Sequence, residues 1–299
     1  MADNCYRLKV VERSRISEIY LLRCESIALS GCRQNALETG AVLLVDGMQT
    51  MARWRSITLA SALFALAAPE LASADPTPSL PARFRQAPYS LMSLSVGYPN
   101  AGSQVRAKRL RKSAELSIKA GSEPNSYGHP SLVLMLQRTA RQVARRAPGS
   151  VMLVGDLSSK DGGRLAGHTS HQSGRDADIG FYVTDLKGKR VLLDKFVAFD
   201  AAGRASDGSP YLFDDFRNWL LLQALARDDR AGLSHVFVAA KLRKRLLDWA
   251  QARPAFRKYV PAVVGILKQP DNALPHDDHF HVRIACPKLQ DEICRPESR

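Results

Sequence analysis

Acidic residues and long apolar runs are both in short supply in this 299-residue chain. Against 43 Lys and Arg stand 29 Asp and Glu, a formal net charge of +14 at pH 7. Such an excess steers a protein toward anionic partners: nucleic acid, anionic lipid or acidic cell-wall polymer. The apolar run from Ile57 to Pro69 is too short for a membrane span, which needs roughly 20 residues. Aromatic residues make up 7% of the chain, and they do not interleave with basic ones as in proteins that stack single-stranded nucleic acid. The basic residues are scattered instead, Arg138, Arg141, Arg145 and Arg146 in one segment and Lys241, Arg243, Lys244 and Arg245 in another, as on solvated helix faces. No internal repeat or low-complexity segment is present. Cysteine is scarce at five residues, and of the seven histidines five sit in two short clusters.

The N-terminal quarter reads as leader rather than fold. From Met51 the order is a basic stretch (Arg53, Arg55), the apolar run, and Ala72-Ser73-Ala74 before Asp75. That is the pattern of a secretory signal peptide over 51–74, cut after Ala74. A signal starting at residue 51 is out of place, so residues 1–50 are expected to be a mis-assigned extension, with Met51 or Met48 the initiator. A buried helix at 57–69 and a genuine extension are the competing readings. Export implies the periplasm, and nucleic acid then falls away as a partner. From Asp75 the chain keeps about 35 Lys and Arg against about 22 Asp and Glu, a net near +13.

Setting the leader aside removes Cys5, Cys24 and Cys32. Cys286 and Cys294 remain, an even pair in an exported chain, read as a disulfide closing a small C-terminal loop. The remaining length suits one good core.

Punctuation and period organise the rest. Residues 75–100 are Pro-rich and expected to form an extended arm, with one domain over 101–299. After Gly128-His129-Pro130, Leu132, Met135, Leu136, Ala140 and Val143 recur at helical spacing until Pro148-Gly149. Val151 to Val154 and Asp176 to Val183 read as strands. Asp214 is expected to cap a helix through Arg227, with Phe216, Trp219, Leu220 and Gln223 on one face. Val236 to Val238 reads as a strand, Leu242 to Ala252 as a helix, and a helical stretch follows Pro254. His279 to Ile284 alternates as a strand. The fold class is α+β: a single domain whose small, mainly antiparallel sheet presents a metal site and is flanked by helices.

The first histidine cluster runs Gly167-His168-Thr169-Ser170-His171-Gln172-Ser173-Gly174-Arg175-Asp176-Ala177-Asp178, the second His276-Asp277-Asp278-His279-Phe280-His281. Imidazole and carboxylate at this density suit a borderline divalent metal, zinc first. On a strand alternate side chains share a face, so His279 and His281 point one way, as do Asp176 and Asp178. Gly174 permits a turn that folds His171 back beside Asp178. Two histidines and one aspartate would fill three tetrahedral positions and leave the fourth for water, the open arrangement of a catalytic zinc. A metal-dependent hydrolase follows.

Several motifs then occur in one order: Tyr127-Gly128-His129-Pro130, Gly155-Asp156, Gly162-Gly163-Arg164, the first histidine cluster through Ile179, and His279-x-His281-Val282-Arg283-x2-Cys286-Pro287. Together they resemble the penicillin-insensitive murein endopeptidases, within the zinc peptidases grouped with lysostaphin-type enzymes, D-Ala-D-Ala metallopeptidases and the hedgehog fold. The resemblance covers most of residues 90–296. It implies one Zn2+ per chain, held by His171, Asp178 and His281, with His279 as general base or proton shuttle. It implies that His276 hydrogen-bonds the developing oxyanion or the water. It implies a periplasmic enzyme that cuts peptide cross-links of peptidoglycan, D-alanyl–meso-diaminopimelate above all, and is insensitive to penicillin.

Two departures stand out. Better-known members carry three disulfides where this chain has cysteines for one, and the partner of Cys286 is shifted by about one position. Asp278 stands where the D-Ala-D-Ala dipeptidase branch has a glutamate base, but an odd offset of three would turn it away from His281, which favours His279. His168 and Asp176 are expected to support the ligands by hydrogen bonds, His129 to start a helix, His235 to sit at a strand edge, and Arg283 to face away from the metal. A D,D-carboxypeptidase or dipeptidase, or a cell-wall-binding module without turnover, are the alternatives.

Overall fold

The computed structural model describes residues 80–269 and 275–296. The extension expected over 1–50, the signal peptide over 51–74 and residues 75–79 of the arm lie outside them. In chain order come strands β1 (Leu94–Tyr98), β2 (Ala101–Val105), β3 (Lys108–Arg109), β4 (Leu116–Ile118) and β5 (Tyr127–Gly128), helix α1 (Pro130–Arg146), then β6 (Met152–Val154), β7 (Asp176–Gly180), β8 (Val183–Asp185), β9 (Arg190–Val191) and β10 (Tyr211–Phe213). Helix α2 (Asp215–Ala226), β11 (Leu233–Phe237), α3 (Ala240–Gln251), α4 (Pro254–Arg257), α5 (Val260–Ile266), β12 (Leu267–Lys268) and β13 (His279–Ile284) follow.

The central sheet has six strands in the order β12-β11-β13-β7-β6-β4. Its inner joins are antiparallel, and only the outermost pair at each edge is parallel. The architecture is the α+β domain expected. Helix α1 forms because its apolar stripe recurs at helical spacing, and all five stripe residues are buried. Pro130 at its first turn has the right φ and needs no N–H partner there. His129 starts it as a cap, its Nδ1 accepting the Ser131 N–H at 3.2 Å. Asp214 caps α2 in the same way, accepting from the Arg217 N–H at 3.0 Å.

The single face expected for α2 is not found. Every residue from Arg217 to Leu225 is buried, whereas Phe216 is 37% exposed. The helix packs against α1, α3 and α5, and a helix enclosed on most sides carries no one stripe. The strand expected over 176–183 breaks after Gly180, where pairing passes to the separate sheet β10-β8-β9.

Residues 80–100 are packed, not an extended arm. Phe84, Leu94, Val96 and Ile293 form a second small apolar cluster, and β1 pairs with β2 as a hairpin. The apolar content of this segment outweighs its prolines. Cys286 and Cys294 are disulfide-bonded as expected, and the loop they close is tied to β1: Gly97 N–H donates to the Ile293 carbonyl at 2.7 Å, and Arg295 N–H to that of Gly97 at 3.0 Å.

Candidate metal centre

Strand register builds half of the centre. β13 lies antiparallel to β7 with His281 opposite Asp178, Arg283 opposite Asp176 and His279 opposite Gly180. Period-two alternation places His279, His281 and Arg283 on one face with Asp176 and Asp178. Directly opposed side chains stand about 5 Å apart at Cβ, so His281 Nδ1 comes within 3.1 Å of Asp178 Oδ1. Ala177, Ile179, Phe280, Val282 and Ile284 take the other face and are wholly buried in the main core.

A loop supplies the other half. His171 has φ +67°, a region disfavoured for a side chain with a Cβ. Two hydrogen bonds hold it there: its N–H donates to Asp176 Oδ2 at 3.3 Å, and its Nδ1 lies 2.7 Å from the Leu157 carbonyl. Nε2 is thereby turned to Asp178 Oδ1, 3.4 Å away. The chain turns at Gly174, φ +74°, where a Cβ would lie 1.9 Å from Gln104 Oε1.

These atoms fit a metal ion. His171 Nε2 and Asp178 Oδ1 are buried without a hydrogen-bond partner, a costly state for polar atoms. Ligands about 2.0–2.1 Å from a tetrahedral zinc stand about 3.3 Å from one another, and the two separations are 3.4 and 3.1 Å. His281 Nε2 lies 3.0 Å from Asp176 Oδ1, so Nδ1 is the nitrogen left to face Asp178. Asp176 Oδ1 also accepts from Arg283 Nε at 2.5 Å. Arg283, expected to face away from the metal, therefore faces the site instead; its even offset from His281 puts it on the same face, anchoring the carboxylate that orients His281.

Of the remaining site residues, His279 and His168 approach Asp178 directly. His279 Nε2 is 3.3 Å from Asp178 Oδ1, and its Nδ1 is 2.5 Å from Asp278 Oδ1. Asp278 precedes β13, so strand alternation does not bind it and its side chain turns to His279 instead of away. The His276 ring lies 5.4 Å from His279 and 5.6 Å from His281, with Nδ1 buried and without a hydrogen-bond partner. His168 places Nδ1 3.6 Å from Asp178 Oδ2 and Nε2 3.1 Å from Asp156 Oδ2. Donor atoms of His168, His171 and Asp178 cluster within 4.8 Å of one another, as do those of His276, His279 and His281.

Charge divides the histidines. Burial alone would depress His171, but the Asp178 and Asp176 carboxylates outweigh it and raise its pKa. Burial likewise opposes, and Asp178 and Asp278 overcome it, in pushing His279 up to about 10. Asp178 responds in the opposite sense: burial would raise it, yet His171 and His279 hold it well below the usual range. Burial, then repulsion from His281 and His279, lowers His276 to about 4, so it is neutral at pH 7.

Sequence reasoning missed the walls of the site. Phe196 stacks on His279 at 5.1 Å and 23°, and Phe237 on His281 at 5.5 Å and 26°. A Cβ on Gly155 or Gly180 would lie 2.4 or 3.0 Å from the Phe196 ring, so those two glycines make room for it. Phe237 carried only the strand signal of Val236 to Val238; that it sits opposite His281 in the sheet is a matter of register. The Leu157 carbonyl and Phe196 come from loops and had none.

Residues 95–299 match the family described as penicillin-insensitive murein endopeptidase. A protein of that name from Klebsiella pneumoniae (strain 342) is 32% identical over 223 residues, which span 73% of this chain and 75% of the relative. Its namesake from Escherichia coli O1:K1 / APEC is 31% identical over 199 residues, 64% of this chain and 66% of the relative. The matched segment carries every residue of the centre described above, and the chain belongs to the penicillin-insensitive murein endopeptidase family.

Proposed function

We propose that this protein is a zinc metalloendopeptidase that hydrolyses peptide cross-links of peptidoglycan, the D-alanyl–meso-diaminopimelate bond above all. The observation that carries this reading is the pair of buried, partnerless atoms His171 Nε2 and Asp178 Oδ1 with His281 Nδ1 beside them, at spacings suited to a tetrahedral ion. His171, Asp178 and His281 would hold the metal. Once bound there, zinc supplies Lewis acidity, lowering the pKa of a water ligand toward about 7 and polarising the scissile carbonyl.

The protein's own residues do the rest. Asp176 holds His281 by its Nε2 and the Leu157 carbonyl holds His171 by its Nδ1, leaving one nitrogen of each free to ligate. With a metal ion at Asp178 neutralising the carboxylate that raises its pKa, His279 would be free to accept the proton of the attacking water and return it to the leaving amine. Asp278 stands behind it at 2.5 Å and stabilises the imidazolium formed in between. His276, neutral at pH 7, donates to the oxyanion that develops on the carbonyl. Phe196 stacks against the face of the base and fixes its plane. No serine or cysteine is acylated in this scheme, so β-lactams have nothing to modify and penicillin does not inhibit.

The protein acts in the periplasm, delivered by the signal at 51–74. The disulfide between Cys286 and Cys294 supports an oxidising compartment. Among the described residues no helix is long and apolar enough to cross a membrane.

Incubation of the protein with purified cross-linked muropeptide dimers, read by mass spectrometry, tests the reading. Conversion of dimers to monomers, stopped by a chelator and unaffected by penicillin, is the result expected. Release of terminal D-alanine with dimers left whole would make it a carboxypeptidase, and untouched substrate with metal bound would make it a binding module.

A further inference from the structure

His168 bridges two carboxylates. Its Nε2 lies 3.1 Å from Asp156 Oδ2, and its Nδ1 lies 3.6 Å from Asp178 Oδ2. The backbones beneath are tied as well: Gly155 N–H donates to the Asp178 carbonyl at 2.8 Å, and Asp178 N–H to that of Asp156 at 3.1 Å. Asp156, His168 and Asp178 thus close a ring, so the imidazole has a fixed place between the two acids.

We infer that Asp156 is a positioning residue of the metal centre, acting through His168. The Asp156 carboxylate fixes the plane of the His168 ring through Nε2, and the ring in turn backs Asp178 at Oδ2, leaving Oδ1 to face His171 and His281.

Asp156 is itself held on three sides. Asn125 Nδ2 donates to Oδ1 at 3.0 Å, and Lys119 Nζ reaches Oδ2 at 3.4 Å beside His168. The Asp156 side chain is 12% exposed. Although burial opposes it, hydrogen bonds from His168 and Asn125 keep its pKa below the usual carboxylate range. His168 follows Gly167, φ +80°, on a loop whose backbone is tied by the His168 N–H donating to the Leu165 carbonyl at 3.1 Å, and Asp156 ties its side chain.

This inference rests on the proposed metal centre, and the test separates the two. Zinc affinity of the full chain is measured by competition with a chelator for wild type, Asp156→Asn, His168→Ala and the double variant. Cobalt-substituted protein is examined by visible absorption. Asp156→Asn keeps the shape but can donate where a carboxylate only accepts. It is expected to weaken zinc affinity by about 10–100-fold and to shift the cobalt spectrum, while the metal-free protein melts as wild type does. In the His168→Ala background the same change is expected to do nothing further.

Wild-type affinity and spectrum in Asp156→Asn would overturn the inference. So would an equal loss in the His168→Ala background, which would mark Asp156 as a support of the fold. If Asp156→Asn does not fold, Asp156→Glu takes its place, and partial retention of affinity and spectrum is expected because the acceptor survives. A wild-type chain that takes up no metal would overturn the metal centre itself.

Discussion

The two faces of β7 and β13 use the same backbone to opposite ends. On one, Asp176, Asp178, His279, His281 and Arg283 gather charge; on the other, Ala177, Ile179, Phe280, Val282 and Ile284 join the apolar core. Both faces are buried, at 0–5% exposure for all but His279 among these residues. Burial therefore does not separate site from core here. Partnering does: apolar side chains need only contact, whereas each buried acid on the polar face is surrounded by cationic or proton-bearing groups. That pairing is incomplete at His171 Nε2 and Asp178 Oδ1, two buried ligand-type atoms 3.4 Å apart.

Changes on the polar face should abolish chemistry and spare the fold, and changes on the apolar face should do the reverse. The largest effect is expected for His171→Ala: metal content near zero and dimer cleavage below detection, with circular dichroism unchanged. His279→Ala is expected to keep its metal and lose activity on the order of 10²–10⁴-fold, the usual worth of a general base. Steady-state kinetics on a metal-replete sample would check it.

Across the strand, Phe280→Ala removes a ring packed 4.7 Å from that of Phe181. About 3–5 kcal/mol of stability should go with it, seen in urea denaturation, while the folded fraction keeps its zinc.

Acid should sharpen the same contrast. Burial lowers His129 to about 4 and His235 to about 3, each from an ordinary value near 6.5. The unfolded chain then takes up protons that the folded chain refuses, so stability falls as pH drops from about 6.5 toward 4. His171 and His279 do not oppose this, because groups with raised pKa contribute their full stabilisation below 6.5 and lose it only as pH climbs. Denaturation of metal-free protein between pH 7 and 4 would measure the slope. The smallest effect is expected at Lys244→Ala. That residue's ion pair with Asp248 leaves both side chains more than half exposed, so stability should change by less than about 1 kcal/mol.

How much of this was legible in the sequence depended on where each residue sits. Strand periodicity was enough to put His279 with His281 and Asp176 with Asp178, and helical periodicity marked the stripe of α1. The same rule of two would have placed Arg283 beside His281; reading it as outward-facing set that rule aside. The meeting of the two clusters, more than a hundred positions apart at His281 and Asp178, is a matter of register, which no local pattern encodes. The family resemblance supplied it. Loop-borne partners such as Leu157, Phe196 and Asp156 have no period at all, and their positions emerge only when the chain closes around the sheet. In residues 80–100 the prolines suggest an extended arm, yet the apolar Phe84, Leu94 and Val96 pack together there.

The most direct test of the centre is the zinc content of the intact chain by native mass spectrometry, wild type against His281→Ala. We expect one zinc per wild-type chain and none in the variant, with both folded. A wild-type chain without metal, or a variant that keeps it, would contradict the assignment of His171, Asp178 and His281 as the ligands.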